Sequence, residues 1–262
     1  MRKSEYHVPN LERALEIIDA LSRHPKGMTQ KDLIDSLKVS KNSIYRITMT
    51  LVAHGIIARD DITRKFHLTR KLMILGSTAM GDHNLVDKAI DIMHALRDRV
   101  DASVYLGVLE GTEGVILEQA VGGHPFRYSV DLGSRFHLHC SAPGKAMLAF
   151  LPAEKSEAIM KHLKRTRYNE RTICSREGLR AEFKKIRRLG YALDMAEQFE
   201  GCHCVAAVIQ DHLNMPIAAI WATGPSVSLP KNRFVEIGQL VKTHAERISV
   251  KFGHGLKLDD VK

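Results

Sequence analysis

Two helix caps eleven residues apart, at Thr29 and Ser40, constrain this chain more than any other feature. Thr29-Gln30-Lys31-Asp32 is a capping-box pattern, and Leu33, Ile34 and Leu37 give the helix behind it one apolar face. Lys38-Val39 then turns, and Ser40 caps a further helix whose buried face reads Ile44, Ile47, Leu51 and Val52. His54-Gly55 ends that helix, with Gly at a suitable C-terminal position. Upstream, Asn10 is positioned to cap a helix from Leu11, with Leu11, Ala14, Leu15, Ile18 and Leu21 as its stripe. His24-Pro25-Lys26-Gly27 breaks it. Downstream, Ile56–Arg59 and Lys65–Leu68 are short strand candidates around the polar turn Asp60–Arg64. Three helices followed by a hairpin make a winged helix-turn-helix pattern.

Charge gives that pattern a partner. Residues 1–75 carry 14 Lys/Arg against 8 Asp/Glu, whereas residues 76–262 carry 25 against 22. Two thirds of the +9 net charge therefore sits on less than a third of the chain, which points to a polyanion and first to double-stranded DNA. In a helix-turn-helix the second helix enters the major groove by its N-terminal end. Here that helix starts at Ser40, and its face away from the core carries Lys41, Asn42, Tyr45, Arg46 and Met49. Lys and Arg suit guanine or phosphate, and Asn suits adenine or phosphate. Ser40 and Ser43 can hold phosphates beside the helix N-terminus, and Arg64 and Lys65 on the hairpin can reach backbone or minor groove. A basic helix with a basic wing favours DNA over a purely protein-docking use of the fold.

The rest of the 262 residues is long enough for a second domain, and at 44% apolar it can bury a core. Leu72, Leu75 and Ala79 suggest a linker helix, which Gly81-Asp82-His83-Asn84 interrupts. The expected domains are a winged helix-turn-helix over 8–70, a linker over 71–84 and an α+β domain over 85–254. In the last, strands at Val104–Leu109 and Val115–Ala120 flank a longer loop, Glu110–Gly114. Helices are expected at Leu85–Val100, Ser141–Phe150, Ala153–Leu163, Ser175–Leu189 and Lys231–Phe252, and strands at Cys204–Gln210 and Ile217–Ala222. No apolar run approaches membrane-spanning length, and none follows the basic N-terminus, so a cytoplasmic chain without a membrane partner is expected. Four cysteines in a chain this long do not make a disulfide scaffold.

Val39-Ser40-Lys41-Asn42-Ser43-Ile44-Tyr45-Arg46, followed by Leu51, Gly55 and the wing, resembles the DNA-binding half of the IclR-type bacterial transcriptional regulators. The C-terminal half resembles that family at Gly133-Ser134, Leu138–Ala146, Gly190–Asp194, Gly201–Ala207 and Gly224-Pro225. The resemblance implies a winged helix-turn-helix joined by a helix to a GAF-like effector-binding domain. It also implies a non-enzymatic, cofactor-free repressor or activator, working as a homodimer or homotetramer. A small-molecule effector from a catabolic operon would be its signal. In relatives that bind small acids, two backbone N–H groups before the Gly-Lys hold the carboxylate; these positions are Ala142 and Pro143 here, and proline has no N–H. An Asp and a Cys of the family pocket match Asp194 and Cys204, two small hydroxyl residues match Trp221 and Thr223, and apolar wall positions match Tyr128 and Phe136. One carboxylate donor lost and an aromatic wall gained imply a sugar-derived or flat aromatic acid rather than the smallest keto acids.

Two other chemistries compete. Asp194, Cys204 and His139 invite a nucleophile–base–orienter reading, although the Cys context lacks a nucleophile signature. His137 with His139, and Cys202 with Cys204, alternate onto strand faces, so the four are candidates for a tetrahedral zinc site, though without finger-like spacing. A catalytic or zinc-binding sensor is thus the alternative to a regulator.

Overall fold

The computed structural model describes residues 8–80, 85–123 and 130–255. The chain divides into two compact units, 1–84 and 85–262. The predicted interruption at Gly81–Asn84 and the pocket candidate Tyr128 lie outside the described residues.

The first unit contains α1 (Pro9–Ser22), α2 (Gln30–Leu37), α3 (Lys41–Ala53), β1 (Ile57–Arg59), β2 (Phe66–Leu68) and α4 (Lys71–Met80). The capping box at Thr29 forms in full, and the Ser40 hydroxyl accepts from the Ser43 N–H at 3.4 Å. Lys38, left-handed at φ 54°, turns the chain between α2 and α3. The core joins Ile17, Leu21, Met28, Leu33, Ile44, Ile47, Ile57 and Phe66.

α1 departs from the predicted pattern. It starts at Pro9, whose missing N–H costs nothing in a first turn, so Asn10 is inside the helix and does not cap it. Its buried residues are Ile17, Ala20 and Leu21, all in the second half. Leu11 and Leu15 stay 59% and 55% exposed. Helical spacing located an apolar stripe here but not which part of it the core would cover.

The second unit is a six-stranded antiparallel sheet in the order β5-β4-β3-β8-β7-β6. Its strands are β3 (Ser103–Glu110), β4 (Glu113–Ala120), β5 (Arg135–His137), β6 (Ala192–Met195), β7 (Cys202–Gln210) and β8 (Pro216–Pro225). The period of two sorts their side chains. Val104, Leu106, Val205, Ala207, Ile209, Ile220 and Ala222 face the core built with α5 (Leu85–Val100) and α9 (Phe234–Val250). Tyr105, Cys204, Ala206, Val208, Ala219 and Trp221 face the core built with α6 (Ala142–Phe150), α7 (Ala153–His162) and α8 (Arg176–Leu189). This is the α+β domain the sequence predicts, with helices on both faces of one sheet.

Several boundaries move. The β3–β4 loop shrinks to Gly111-Thr112, because Glu110 pairs with Glu113 and Gly111 supplies φ 62°. β7 and β8 run longer than expected because Cys202 pairs with Pro225. The closing helix opens as a 3₁₀ turn, Lys231–Arg233, before α9. β5 ends at His137, so His137 and His139 do not share a strand. Among the described residues no helix is long and apolar enough to cross a membrane.

Candidate functional site

α3 presents the first candidate surface. Ile44, Ile47 and Thr48 face inward, and the Thr48 hydroxyl donates to the Ile44 carbonyl at 2.8 Å. On the other side Lys41, Asn42, Arg46 and Met49 are exposed, as is Tyr45 at 54%. No acid interrupts α3, so its cations and the positive end of its dipole act together. Ser40 is exposed and Ser43 half-buried, and the Ser40 hydroxyl donates to Ser43 Oγ at 3.0 Å. In the hairpin, Asp60 Oδ1 accepts from the N–H groups of Ile62 and Thr63, at 3.0 and 2.6 Å, and pins the turn. Arg64 stands exposed at φ 58°, and Lys65 is half-buried behind it.

The second candidate is a cavity of about 340 Å³ on the α6 side of the sheet. Its floor consists of two rows of cross-strand neighbours. Asp194 pairs with Cys204 and Cys204 with Thr223, giving a polar row across β6, β7 and β8. Tyr105 pairs with Trp221 two residues along, giving an aromatic row. The Trp221 ring stacks on Tyr105 at 5.6 Å and meets the edge of Phe136 at 5.3 Å. Trp221 is only 5% exposed. Glycines make room for this cluster: a Cβ on Gly107 would lie 2.9 Å from the Trp221 ring, and one on Gly114 would enter the Phe136 ring.

The cavity wall includes Phe136, Asp194, Cys204, Trp221 and Thr223 from the sequence-derived set, and Pro143 beside them. Ala142 is fully buried and is not on the wall. Sequence reasoning missed Tyr105, Ile116, Val130, Ser134, Arg135, Ser141, Gln198, Phe199 and Cys202. Tyr105 had a readable signal, since it alternates with Val104 and Leu106 on one strand, and Ser134, Ser141 and Cys202 lie in the stretches that carry the family resemblance.

The N-terminus of α6 offers an anion little. The Gly144 N–H is held by Ser141 Oγ at 3.2 Å, Pro143 has no N–H, and Ser141 donates its own proton to the His137 carbonyl at 2.6 Å. Polar capacity sits instead on side chains. Asp194 Oδ1 accepts from the Glu197 N–H at 2.8 Å, and burial raises the Asp194 pKa. Gln198 Oε1 accepts from Cys140 Sγ at 3.8 Å, which leaves the amide NH₂ to donate. The Thr223 hydroxyl donates to Cys204 Sγ at 3.2 Å and keeps its lone pairs. Arg135 stands at the cavity edge, paired with Glu110 at 2.7 Å and Glu113 at 3.4 Å.

Behind the wall Lys145 of α6 bonds Glu197, both buried. Burial pushes the Glu197 carboxyl up to about 7 against the pull of Lys145, and its Oε2 has no hydrogen-bond partner. The same burial, with Asp194 and Glu197 nearby, pushes the Cys140 thiol up to about 12.

Neither competing chemistry is assembled. His139 Nε2 contacts the Thr166 carbonyl at 2.9 Å and its ring stacks on Tyr168, as does His137. Neither histidine is on the cavity wall, and burial lowers the His139 pKa. Cys202, burial and Asp194 raise the Cys204 thiol, and neither His137 nor His139 joins it on the cavity wall as a base. Among the described residues no three His, Cys, Asp or Glu side chains gather as a metal site.

Comparison with known proteins covers both units. The IclR helix-turn-helix domain matches residues 10–61, and the bacterial transcriptional regulator IclR C-terminal domain matches residues 77–250. The HTH-type transcriptional regulator XynR of Escherichia coli K12 is 30% identical over 81% of this chain and 84% of its own length. The crystal structure of the Thermotoga maritima IclR superposes with TM-score 0.80 at 27% identity, covering 95% of this chain and all of that one. An IclR homologue from Microbacterium hydrocarbonoxydans, complexed with 4-hydroxybenzoate, has the same fold at TM-score 0.80 and 21% identity, covering 93% of this chain and 99% of its own.

Proposed function

Because the chain belongs to the IclR family of bacterial transcriptional regulators, we propose that its second unit senses a hydroxylated organic acid from a catabolic route, either a flat aromatic acid or a sugar-derived one. The first unit then reads duplex DNA through Lys41, Asn42, Tyr45 and Arg46, with Ser40, Ser43, Arg64 and Lys65 on phosphates. Two or four copies act together, since one module reads only a short half-site.

The floor of the cavity carries this reading. An aromatic row, Tyr105–Trp221 with Phe136, lies beside a polar row, Asp194–Cys204–Thr223. A flat body suits the first row and hydroxyls the second. The α6 N-terminus contributes too few N–H groups to hold a small carboxylate by itself, so Gln198 and Arg135 are the donors for it. The Microbacterium relative holds an acid of this shape, 4-hydroxybenzoate, in the same fold.

Calorimetric titration with 4-hydroxybenzoate, further hydroxylated aromatic acids and hexuronic acids tests the reading. The effector so identified should bind Trp221→Ser roughly ten- to a hundredfold more weakly, the usual cost of removing a packed aromatic partner. DNA affinity without ligand should not change. Unchanged effector affinity in that variant would place the ligand elsewhere, and tight binding of glyoxylate alone would reject the flat-acid class.

A further inference from the structure

The second unit carries a concentration of cations of its own. Residues 153–188 hold 12 Lys/Arg against 5 Asp/Glu, whereas the other 142 residues of that unit hold 13 against 16. The excess is organised by α8. Its buried residues are Leu179, Phe183 and Ile186, and Arg176, Arg180, Lys184 and Arg188 follow one another at steps of four along a neighbouring face. Like charges at that spacing cost helix stability, and only the last turn recovers some of it from the helix dipole.

α7 adds to the same face. Arg180 grips Glu157 of α7 with two bonds, at 2.7 and 2.9 Å, and the charges of Arg176 and Lys161 also act on that carboxylate. Three of the five acids in this stretch are engaged, while Glu154 and Glu170 make no ion pair among the described residues. Glu157 and Glu177 meet Arg180, and Glu182 meets Lys185 at 3.3 Å. Lys155, Lys161, Lys164, Arg167, Lys184 and Arg188 are exposed and make no ion pair among the described residues.

The chemistry selects the partner. Between 153 and 189 the well-exposed large apolar side chains are Tyr168 and, at the very end of α8, Leu189. Protein–protein interfaces are depleted in Lys and need an apolar centre, whereas nucleic-acid interfaces are polar and strongly positive. A run of unneutralised cations without an apolar centre fits a regular row of phosphates.

We propose that the α7–α8 face of the second unit is a sequence-independent contact surface for the phosphates of duplex DNA, engaged in addition to α3. The proposal rests on the DNA-binding reading of the family and extends it to a unit otherwise assigned only to ligand sensing.

The test uses the full chain and a mixed-sequence duplex, with affinity followed by fluorescence anisotropy from about 50 to about 300 mM salt. The triple variant Lys161→Gln/Lys184→Gln/Arg188→Gln leaves the Arg180–Glu157 bonds in place. Every phosphate that is no longer neutralised should flatten the slope of log K against log salt by about 0.9, so the variant should lose roughly two to three units of slope. Its thermal unfolding should be unchanged or slightly improved, because like-charge neighbours on α8 have been removed. A slope equal to wild type overturns the proposal. So does an unchanged DNA slope accompanied by lost affinity for poly-glutamate, which would assign the face to an acidic protein. If wild type itself binds no duplex, the DNA-binding reading fails first, a result distinct from an unchanged slope.

Discussion

Adding a single methyl group at Gly114 should disrupt the aromatic floor without adding or removing a polar group at the cavity. Gly114 on β4 pairs directly with Phe136 on β5, and the Phe136 ring lies over it. A Cβ there would stand 2.6 Å from ring atom Cε1, and nearer still to two others. Carbon atoms prefer about 3.5–4.0 Å, so the nearest part of the ring must retreat by roughly 1.5 Å or more. Gly114 does not need a left-handed backbone, so Gly114→Ala is a steric perturbation and little else. Overpacking of this kind costs about 1–3 kcal/mol, and loosening the Phe136–Trp221 edge contact adds a part of its ~1 kcal/mol.

A double-mutant cycle isolates the cause. In a Phe136→Ala background the methyl enters vacated space and should cost close to nothing. The coupling energy should therefore be about 1–3 kcal/mol, opposite in sign to the single-variant cost. The chain has one tryptophan, and it is Trp221, so urea unfolding followed by its fluorescence reports on the second unit alone. Additive costs, with Gly114→Ala as damaging without the Phe136 ring as with it, would refute the steric argument and the account of why β4 carries glycine there.

Three further outcomes follow from the geometry. Burial raises the folded pKa of Glu197 from 4.5 to about 7, so the folded state holds the extra proton; stability from this group is greatest below pH ~4.5 and falls by up to about 3 kcal/mol as pH rises through 7. Urea unfolding across that range should show wild type losing stability relative to Glu197→Gln as pH rises, and a constant offset between the two would contradict it. Arg46→Ala should weaken operator binding by about ten- to a hundredfold in a gel shift, while Arg23→Ala, exposed just after α1, should do little; equal affinities would remove α3 from the groove. Light scattering should show a dimer or larger at micromolar concentration, and Leu11→Glu/Leu15→Glu should reduce it, since these exposed leucines offer an apolar strip; a wild-type monomer would contradict the expectation.

The caps were the most legible part of this chain. Thr29 and Ser40 hold the N–H groups their positions predict, because a cap is a local device that needs only its own next three residues, whereas Asn10 yields to Pro9 at the start of α1. The α1 stripe was misread because burial of Leu11 depends on what packs there, which spacing does not encode. Asp194, Cys204 and Thr223 were legible singly, through resemblance, but their order as one row across three strands depends on register. Gln198 and Arg135 were invisible, since each reaches the wall from an irregular segment or a three-residue edge strand. The Lys145–Glu197 pair was equally hidden: a charge in sequence reads as surface until its partner, 52 residues away, is known.

That pair bears on how the cavity selects. The turn after β6 carries two wall residues, Gln198 and Phe199, and β6 itself carries Asp194. Its ties are numerous. Asp194 holds the Glu197 N–H, Lys145 holds the Glu197 carboxylate, and Thr172 Oγ1 donates to the Glu197 carbonyl at 2.6 Å. Asn169 Nδ2 and Arg171 Nε both donate to the carbonyl of Ala196, which itself sits at φ 63°. Moving this turn would strand a buried lysine and a buried carboxylate, each far costlier unpaired than paired. A ligand therefore cannot reshape the polar wall at a cost its own few contacts could offset. Adaptation is left to Arg135 on β5, which is about half exposed and held only by the surface carboxylates Glu110 and Glu113. Discrimination by hydroxyl position should consequently be strict at Asp194 and Thr223, and discrimination by the outer end of the ligand should be loose.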